Sequence, residues 1–135
     1  MRRILVGFDG SEGAENALNK AMSLITEDGE LIILAVVPSP DDKSFVDKDV
    51  FMELKRKARN LIDNVIKDIG SHEYSINGLV EEGDVAGTII DISNKLNCDI
   101  IILGSKGASE IGRYPIGSVA NKVVQYARKP VMVVR

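Results

Sequence analysis

Four short segments of continuously apolar residues constrain the fold of this chain more than any other feature of its sequence. They are residues 4–8, 31–37, 100–103 and 131–134. Short runs of this kind, rich in β-branched residues, are typical of strands that are buried on both faces of a sheet. A fifth segment, residues 74–80, alternates apolar and polar side chains, which indicates an edge strand or a half-exposed strand. The five segments therefore predict a parallel sheet covered by helices.

The segments between these strands have helical periodicity. Apolar residues recur at spacings of three and four within residues 14–25, 54–69, 85–96 and 116–127, which predicts four amphipathic helices. Strands and helices thus alternate along the whole chain. This order predicts right-handed crossovers and an open, doubly wound α/β fold, with five parallel strands and helices on both faces.

Local signals predict where these helices begin and end. Ser11 is a candidate N-cap of the first helix, and Gly29 is its candidate stop. Gly70 is expected to end the second helix, and the fourth is expected to end before Pro130. Residues 38–46 are mostly polar and follow the second strand, so they are expected to form a loop.

Length and composition predict one domain that spans residues 1–135. A chain of 135 residues buries roughly two-thirds of its unfolded surface and needs no metal or disulfide for stability. Hydrophobic residues make up 44% of the chain and charged residues 27%, which argues against disorder or a coiled coil. The single cysteine, Cys98, cannot form an internal disulfide, and this favours the cytoplasm.

Segment length and charge also limit the kinds of partner that this chain is expected to bind. No segment approaches the ~20 apolar residues of a membrane helix, and the basic, apolar start is too short for a signal-peptide core. The net charge of −3 argues against nucleic-acid binding by the chain as a whole. Residues 104–135 nevertheless carry six basic side chains and one acidic side chain. We therefore expect a cytoplasmic protein without membrane or nucleic-acid partners, with its positive charge concentrated near the C-terminus.

The most informative motif joins the fourth predicted strand to the fourth predicted helix. It consists of Gly104 and Gly107, a spacer of nine residues, and then Gly117 followed by Ser118. Glycines let main-chain N–H groups approach a ligand with no Cβ in the way. The N-terminus of the following helix adds unpaired N–H groups and a partial positive charge. Ser118 is expected to cap this helix or to donate its hydroxyl to a phosphate oxygen.

Two basic side chains, Lys106 and Arg113, lie within this glycine loop. The combination suits a polyanion such as the phosphates of a nucleotide, although a strand-to-helix turn without a ligand is the alternative interpretation. Residues 107–114 also have the glycine spacing of a P-loop. They lack the Lys-Ser/Thr pair that a P-loop needs for phosphate and Mg²⁺, so that class is excluded.

At this point the sequence resembles the universal stress proteins, specifically their nucleotide-binding branch. The pattern Gly-x2-Gly-x9-Gly-Ser is followed by an amphipathic helix and a closing Pro-Val-Met-Val-Val segment. The opening strand and turn at residues 6–11, the third turn at 82–84 and the fourth strand and loop at 99–107 resemble the family as well. The resemblance covers the whole chain. It implies an ATP-binding, Rossmann-like domain of the adenine nucleotide α-hydrolase type, which acts in the stress response or in signalling and is usually a homodimer.

The resemblance also implies a set of site residues. Adenine is expected near the ends of the first and second strands, ribose on the acidic residue of the first turn, and the phosphates on the glycine loop. A divalent ion, Mg²⁺ or Mn²⁺, is expected on the phosphate oxygens, with no side-chain ligands assigned. The implied residues, with the two loop cations added, are Phe8, Asp9, Val36, Gly104, Lys106, Gly107, Arg113, Gly117, Ser118 and Val119.

Other candidate residues favour ordinary structural roles. Asp9 has an alternative role as a turn or N-cap carboxylate. His72 lies in a polar segment and is interpreted as a surface histidine, while Cys98 is interpreted as a core residue. The basic cluster Lys55, Arg56, Lys57 and Arg59 is interpreted as a solvated helix face.

The leading hypothesis is a nucleotide-dependent regulator, since Ser11, Ser105 and Ser118 have no neighbouring histidine and no carboxylate or histidine in the glycine loop is an obvious base. Two alternatives stay open: an interaction protein of the same fold that binds no nucleotide, and a slow ATPase or autokinase. The apolar segment Val131–Val134 adds a prediction. As an edge strand it would be an association hazard unless paired, so it is expected to pair with a second copy and form a homodimer. The alternative is that this strand lies inside the sheet, shielded by helices.

Overall fold

Five parallel strands and four helices alternate along the chain in the computed structural model, which describes residues 1–39, 48–105 and 117–135. The predicted order of strands and helices is confirmed. The elements are β1 (Arg3–Gly7), α1 (Glu12–Leu24), β2 (Glu30–Pro38), α2 (Lys48–Ile69), β3 (Ser75–Gly83), α3 (Val85–Lys95), β4 (Ile100–Gly104), α4 (Ser118–Tyr126) and β5 (Val131–Val134).

The strands form one sheet in the order β3-β2-β1-β4-β5, with every neighbouring pair parallel. The chain moves outward from β1 to β2 and β3, then returns to the other side of β1 for β4 and β5. The strand order therefore reverses between β1 and β4. In open α/β sheets ligands bind beyond the carboxyl ends of the strands at such a reversal.

Side chains from the central strands fill a core on each face of the sheet. Ile4 and Val6 pack with α1 and α2 on one face, whereas Leu5 packs with α3 and α4 on the other. This alternation follows from the two-residue period of a strand. It explains why the central strands are apolar without interruption, and it confirms the predicted doubly wound fold.

Three predicted helix limits are confirmed and one is wrong; the confirmed ones include the end of α4, at Tyr126, before Pro130. Ser11 caps α1, since its Oγ accepts a hydrogen bond from the N–H of Ala14 at 3.1 Å. Gly70 follows the last residue of α2 with a φ of +75°, a conformation that favours glycine. Helix α1, however, ends at Leu24 rather than near Gly29. Ile25 has an extended backbone, and the next N–H, that of Thr26, donates to the carbonyl of Met1.

The amino end of the sheet is held by Asp99. Its Oδ2 accepts hydrogen bonds from the main-chain N–H groups of Arg2 and Arg3, each at 3.0 Å. The hydrogen bond from Arg3 is the main reason that the pKa of Asp99 lies below its usual value. These contacts join the start of β1 to the residue that precedes β4. They fix the register of the two strands whose opposite ends flank the candidate site.

Candidate ligand-binding site

A pocket of about 430 Å³ opens at the carboxyl ends of β1, β2 and β4, at the point where the strand order reverses. Seven residues that the sequence singles out line this one pocket: Phe8, Asp9, Val36, Gly104, Gly117, Ser118 and Val119. The remaining three, Lys106, Gly107 and Arg113, lie outside the described residues, as do residues 40–47 of the predicted loop after β2. Pro38, assigned to that loop from the sequence, instead ends β2.

The pocket has an apolar chamber. Phe8 is 3% exposed and Leu103 is 5% exposed, and both contribute to its wall. Helix α2 adds Leu54, Ala58 and Leu61. From the sequence these residues were predicted only as part of the apolar stripe of an amphipathic helix, so their place in the pocket was not predicted. Leu54, the first residue of that stripe, is 45% exposed in the structure.

The turn after β1 places Asp9 at the edge of the chamber. The Asp9 Oδ1 accepts a hydrogen bond from the N–H of Ser11 at 3.0 Å, and Gly10 between them has a φ of +82°. This is the local turn contact that the sequence allowed as an alternative role. The carboxylate is nevertheless exposed and lines the pocket, so a turn role and a ligand role are compatible in the same side chain.

Strand β2 continues past the end of β1, and Val36 lies in the part that continues. The last β1–β2 pair is Gly7 with Leu34, and the N–H of Phe8 donates to the carbonyl of Leu34 at 2.8 Å. Since hydrogen-bonding directions alternate along a parallel strand, the N–H and C=O of Val36 point to the same side as those of Leu34. No described residue of β1 pairs with Val36, and Val36 lines the pocket, so we expect its donor and acceptor to face the chamber.

The structure accounts for the two described glycines of the loop, Gly104 and Gly117, in different ways. A Cβ on Gly104 would lie 2.5 Å from the backbone C and O atoms of Gly13 in α1, so packing alone explains this glycine. Gly117 has a φ of −68° and a ψ of 163°, which any residue adopts. Its backbone conformation does not require glycine, and the residue lines the pocket.

Helix α4 begins at the wall of the pocket without a side-chain cap. Its N-cap is Gly117 and not Ser118, so the prediction that Ser118 caps the helix is wrong and Ser118 is the first helical residue. The starts of α1 and α3, by contrast, are capped by Ser11 and Asp84. Residues 117–120 all line the pocket, which brings the first-turn N–H groups of α4 to its wall. Such a helix start attracts anions.

The ends of the glycine loop meet at the base of α4. The N–H of Gly117 donates to the carbonyl of Ser105, and the N–H of Ser105 donates to the carbonyl of Val134 at 2.8 Å. Ser105 itself is buried. These bonds tie the start of α4 to the ends of β4 and β5, so the sheet holds the uncapped helix start in place.

Few polar groups line this pocket. Asp9 is the one charged side chain among its described lining residues, and the remaining polar side chains are the hydroxyls of Ser11 and Ser118. In the described ranges, no three His, Cys, Asp or Glu side chains come together in a way that could hold a metal ion. The arrangement is suited to binding an apolar ring at one end and an anion at the other.

The remaining candidates lie away from this pocket. His72 follows α2 at the amino end of the sheet, where its ring stacks on Tyr74 with centroids 4.9 Å apart. Cys98 is 1% exposed, and burial raises the pKa of its thiol to about 11, which keeps it protonated near neutral pH. Both interpretations from the sequence are confirmed.

The basic cluster on α2 is a solvated helix face, as predicted. Lys55, Arg56, Lys57 and Arg59 are all exposed. Lys55 forms an ion pair of 3.1 Å with Glu82 on β3, and Arg56 pairs with Glu53 on its own helix. Acidic side chains are interleaved with the basic ones, so this face carries no continuous positive patch.

Two of the described basic residues of the C-terminal quarter lie far from the pocket. Lys129 lies at the opposite, amino end of the sheet, where its Nζ donates to Asn97 Oδ1 at 2.7 Å. Arg128 precedes it in the same turn. Among the described basic residues after position 104, Lys122 is the one that lines a cavity beside the pocket.

The fold and the pocket together define a doubly wound α/β protein with a ligand pocket at the reversal of its strand order. The Universal stress protein family model matches residues 1–135. The chain therefore belongs to the universal stress protein family. No helix in the described part of the chain combines the length and the apolar character needed to cross a membrane.

Individual relatives agree with this assignment. The chain is 28% identical to universal stress protein MJ0577 of Methanocaldococcus jannaschii, over 99% of this chain and 94% of that protein. The solved structure of MJ0577 has a TM-score of 0.82 at 30% identity and covers 98% of this chain and 94% of its own. Universal stress protein UspA from Lactobacillus plantarum has a TM-score of 0.83 at 23% identity, with 99% and 97% covered.

A more distant relative was solved with a nucleotide. The universal stress protein from Arabidopsis thaliana, with AMP bound, has a TM-score of 0.70 at 16% identity. The match covers 99% of this chain and 91% of that one. At this identity the likeness shows a common fold.

Proposed function

We propose that residues 1–135 act as one adenine nucleotide-binding domain, with ATP as the ligand. The observation that carries the proposal is the layout of the pocket, in which an apolar chamber leads directly to the uncapped start of α4. An adenine ring needs apolar walls with a few polar groups at its edge, and phosphates need N–H groups and positive potential. The AMP-bound relative with this fold supports the same ligand class.

The base is assigned to the chamber between Phe8, Val36 and the α2 wall. The N–H and C=O of Val36 would pair with the ring nitrogen and the exocyclic amino group of adenine. Guanine carries an acceptor where adenine carries that amino group. It would therefore leave the carbonyl of Val36 facing an oxygen, and an unpaired buried polar group costs about 1–3 kcal/mol.

The ribose is assigned to Asp9, and a conservative variant separates this role from its role in the turn. We expect Asp9→Asn to keep the turn, since asparagine accepts the same N–H bond, and to lose the preference for ATP over 2′-deoxy-ATP. The expected loss in ATP affinity is about tenfold, the size of one charge-assisted hydrogen bond. Competition binding with the two nucleotides measures it. If Asp9→Asn and the native chain discriminate equally between ATP and 2′-deoxy-ATP, the only role of Asp9 would be in the turn.

The phosphates are assigned to Gly104, Gly117, Ser118 and Val119, together with Lys106, Gly107 and Arg113 of the glycine loop. A divalent ion would be held mainly by the phosphate oxygens, as Mg²⁺ commonly is in nucleotide sites. It would neutralise charge between the phosphates. The residues of this chain hold and orient the nucleotide through main-chain N–H groups and exclude water from the base.

The pocket supports a regulator rather than a fast enzyme. Asp9 is the one described lining residue able to act as a base, and one of its oxygens is engaged by Ser11. Hydrolysis would then arise from charge neutralisation by the site, with slow turnover. We propose a cytoplasmic role in stress response or signalling in which nucleotide occupancy is the signal. Titration of a fluorescent ATP analogue in Mg²⁺ tests this, and the absence of saturable binding would favour the alternative of an interaction protein.

A homodimer is proposed through β5. This strand pairs with β4 on one side, stands at the end of the described sheet, and keeps its four apolar residues half-buried. Pairing with the same strand of a second copy would satisfy the edge and bury Val131–Val134 further. We expect sedimentation equilibrium at micromolar concentration to give twice the chain mass of 14.7 kDa. A single species of 14.7 kDa would contradict the dimer.

A further inference from the structure

A second cavity, of about 470 Å³, lies beside the first one at the carboxyl end of the sheet. We call it the annex. It shares four lining residues with the main pocket, namely Pro38, Val85, Ser118 and Val119. The two cavities therefore meet at the first turn of α4. A ligand bound at the start of α4 would therefore lie next to the annex.

The annex differs from the chamber in its chemistry. Lys122 lines it, and neither cavity has another cationic side chain among the described lining residues. Lys122 lies four residues after Ser118 on α4, so the two side chains project from the same face of the helix. Within the described ranges no carboxylate lies within ion-pair distance of Lys122. Its ammonium group is therefore available to an anion, and lysine binds phosphate as a compact point charge.

One carboxylate, that of Asp84, also lines the annex. Its Oδ2 accepts a hydrogen bond from the N–H of Gly87 at 2.8 Å and caps α3. The positive end of that helix offsets part of its charge. Among its described lining residues, the annex thus has one cation without an ion-pair partner, the first turn of α4, whose N-cap Gly117 offers no side-chain cap, and one carboxylate that is already engaged. Together these features favour an anionic ligand.

We propose that Lys122 is a specificity-determining residue that contacts the terminal phosphates of a nucleoside triphosphate in the annex. This inference rests on the proposed function. A monophosphate ends at the start of α4 and does not reach the annex, whereas the β- and γ-phosphates extend into it. Lys122 thereby makes the site prefer ATP over AMP and sets the phosphorylation state of adenine nucleotide to which the protein responds.

Calorimetric titration with ATP and with AMP, at one fixed ionic strength, tests the role of Lys122. For Lys122→Gln we expect ATP to bind about three- to tenfold more weakly, the effect of one partly solvated charge contact, with AMP unchanged within twofold. Lys95→Gln is the matched control. It removes the same charge from the last turn of α3, and no residue of that turn lines either cavity. The affinities for ATP and for AMP should both stay at their native values.

A reciprocal variant strengthens the test. Asp84→Asn keeps the cap, since asparagine caps helices as well as aspartate does, and it removes the one negative charge among the described lining residues of the annex. We expect tighter ATP binding in Mg²⁺-free buffer and unchanged AMP binding. Equal effects of Lys122→Gln on ATP and AMP, or no effect on either, would overturn the role of Lys122 while leaving the proposed function intact. Failure of the native chain to bind either nucleotide would overturn both.

Discussion

Replacing Gly117 with valine is expected to weaken adenine nucleotide binding by at least about 100-fold, the loss of two charge-assisted hydrogen bonds. The backbone of Gly117 has ordinary φ and ψ values, so valine is compatible with the chain conformation. Its side chain would stand at the wall of the pocket where α4 begins. It would keep the phosphates away from the first-turn N–H groups. Titration with fluorescent ATP measures the loss.

The stability of the Gly117 variants is the control for this experiment. Valine is a poorer N-cap than glycine, so about 1 kcal/mol of helix stability is expected to be lost, too little to unfold a typical domain. Gly117→Ala loses a similar part of the cap but adds one methyl group, and its affinity should lie between those of the native chain and the valine variant. Native ATP affinity in a folded Gly117→Val protein would show that the phosphates do not bind at α4.

Replacing Gly104 with alanine is expected to lower the free energy of unfolding by about 3 kcal/mol, at the upper end of the range for overpacked sites. The added Cβ would lie 2.5 Å from backbone atoms of Gly13. Backbone cannot move aside as a flexible side chain does. The end of β4 and helix α1 would therefore have to separate, and both contribute to the core. Urea denaturation measures the change.

Gly70→Ala is the matched control for Gly104→Ala. Gly70 has a φ of +75°, and apart from its chain neighbours no atom of the described residues lies within 4 Å of the position that its Cβ would take. Alanine there should cost about 1 kcal/mol through backbone strain alone. We therefore expect alanine to lower the free energy of unfolding more at Gly104, whose backbone conformation is ordinary, than at Gly70. A smaller loss for Gly104→Ala than for Gly70→Ala would contradict the close approach of β4 to α1.

The comparison of these glycines shows what the sequence could not provide. The spacing of the glycine motif assigned Gly104 and Gly117 to the same phosphate-binding role. The structure gives Gly104 an independent packing reason, since its partner, Gly13, is distant in sequence and the contact exists only in the folded chain. Spacing along one segment carries no information about such a partner.

The fold itself was predictable because a strand that is buried on both faces of a sheet has an uninterrupted run of apolar residues in its sequence. The uninterrupted apolar residues of β2 and β4 required helices above and below the sheet, and both layers are present. The end of α1 was not predictable from Gly29, because the helix ends earlier, where the N–H of Thr26 donates to the carbonyl of Met1. That bond depends on where the start of the chain lies in the folded protein.

The candidate site was predictable only in part. Residues at strand ends and at the start of α4 were found, because parallel strands bring those ends to one edge of the sheet. The α2 wall was missed, since its stripe has the same period whether it faces the core or a pocket. Net charge near the C-terminus also gave no sign that Lys129, among the described residues, lies at the opposite end of the sheet. The roles of Lys106, Gly107 and Arg113 stay predictions.

A residue-resolved amide titration with ATP and Mg²⁺ tests the central claim most directly. In ¹⁵N-labelled protein, we predict that the largest saturable shifts occur at Val36, Val119 and Ala120. These amides lie at the base end and the phosphate end of one pocket. The amide of His72, at the amino end of the sheet, should not move. Saturable shifts confined to surfaces away from the pocket, or no shifts at millimolar ATP, would contradict an adenine nucleotide site at the reversal of the strand order.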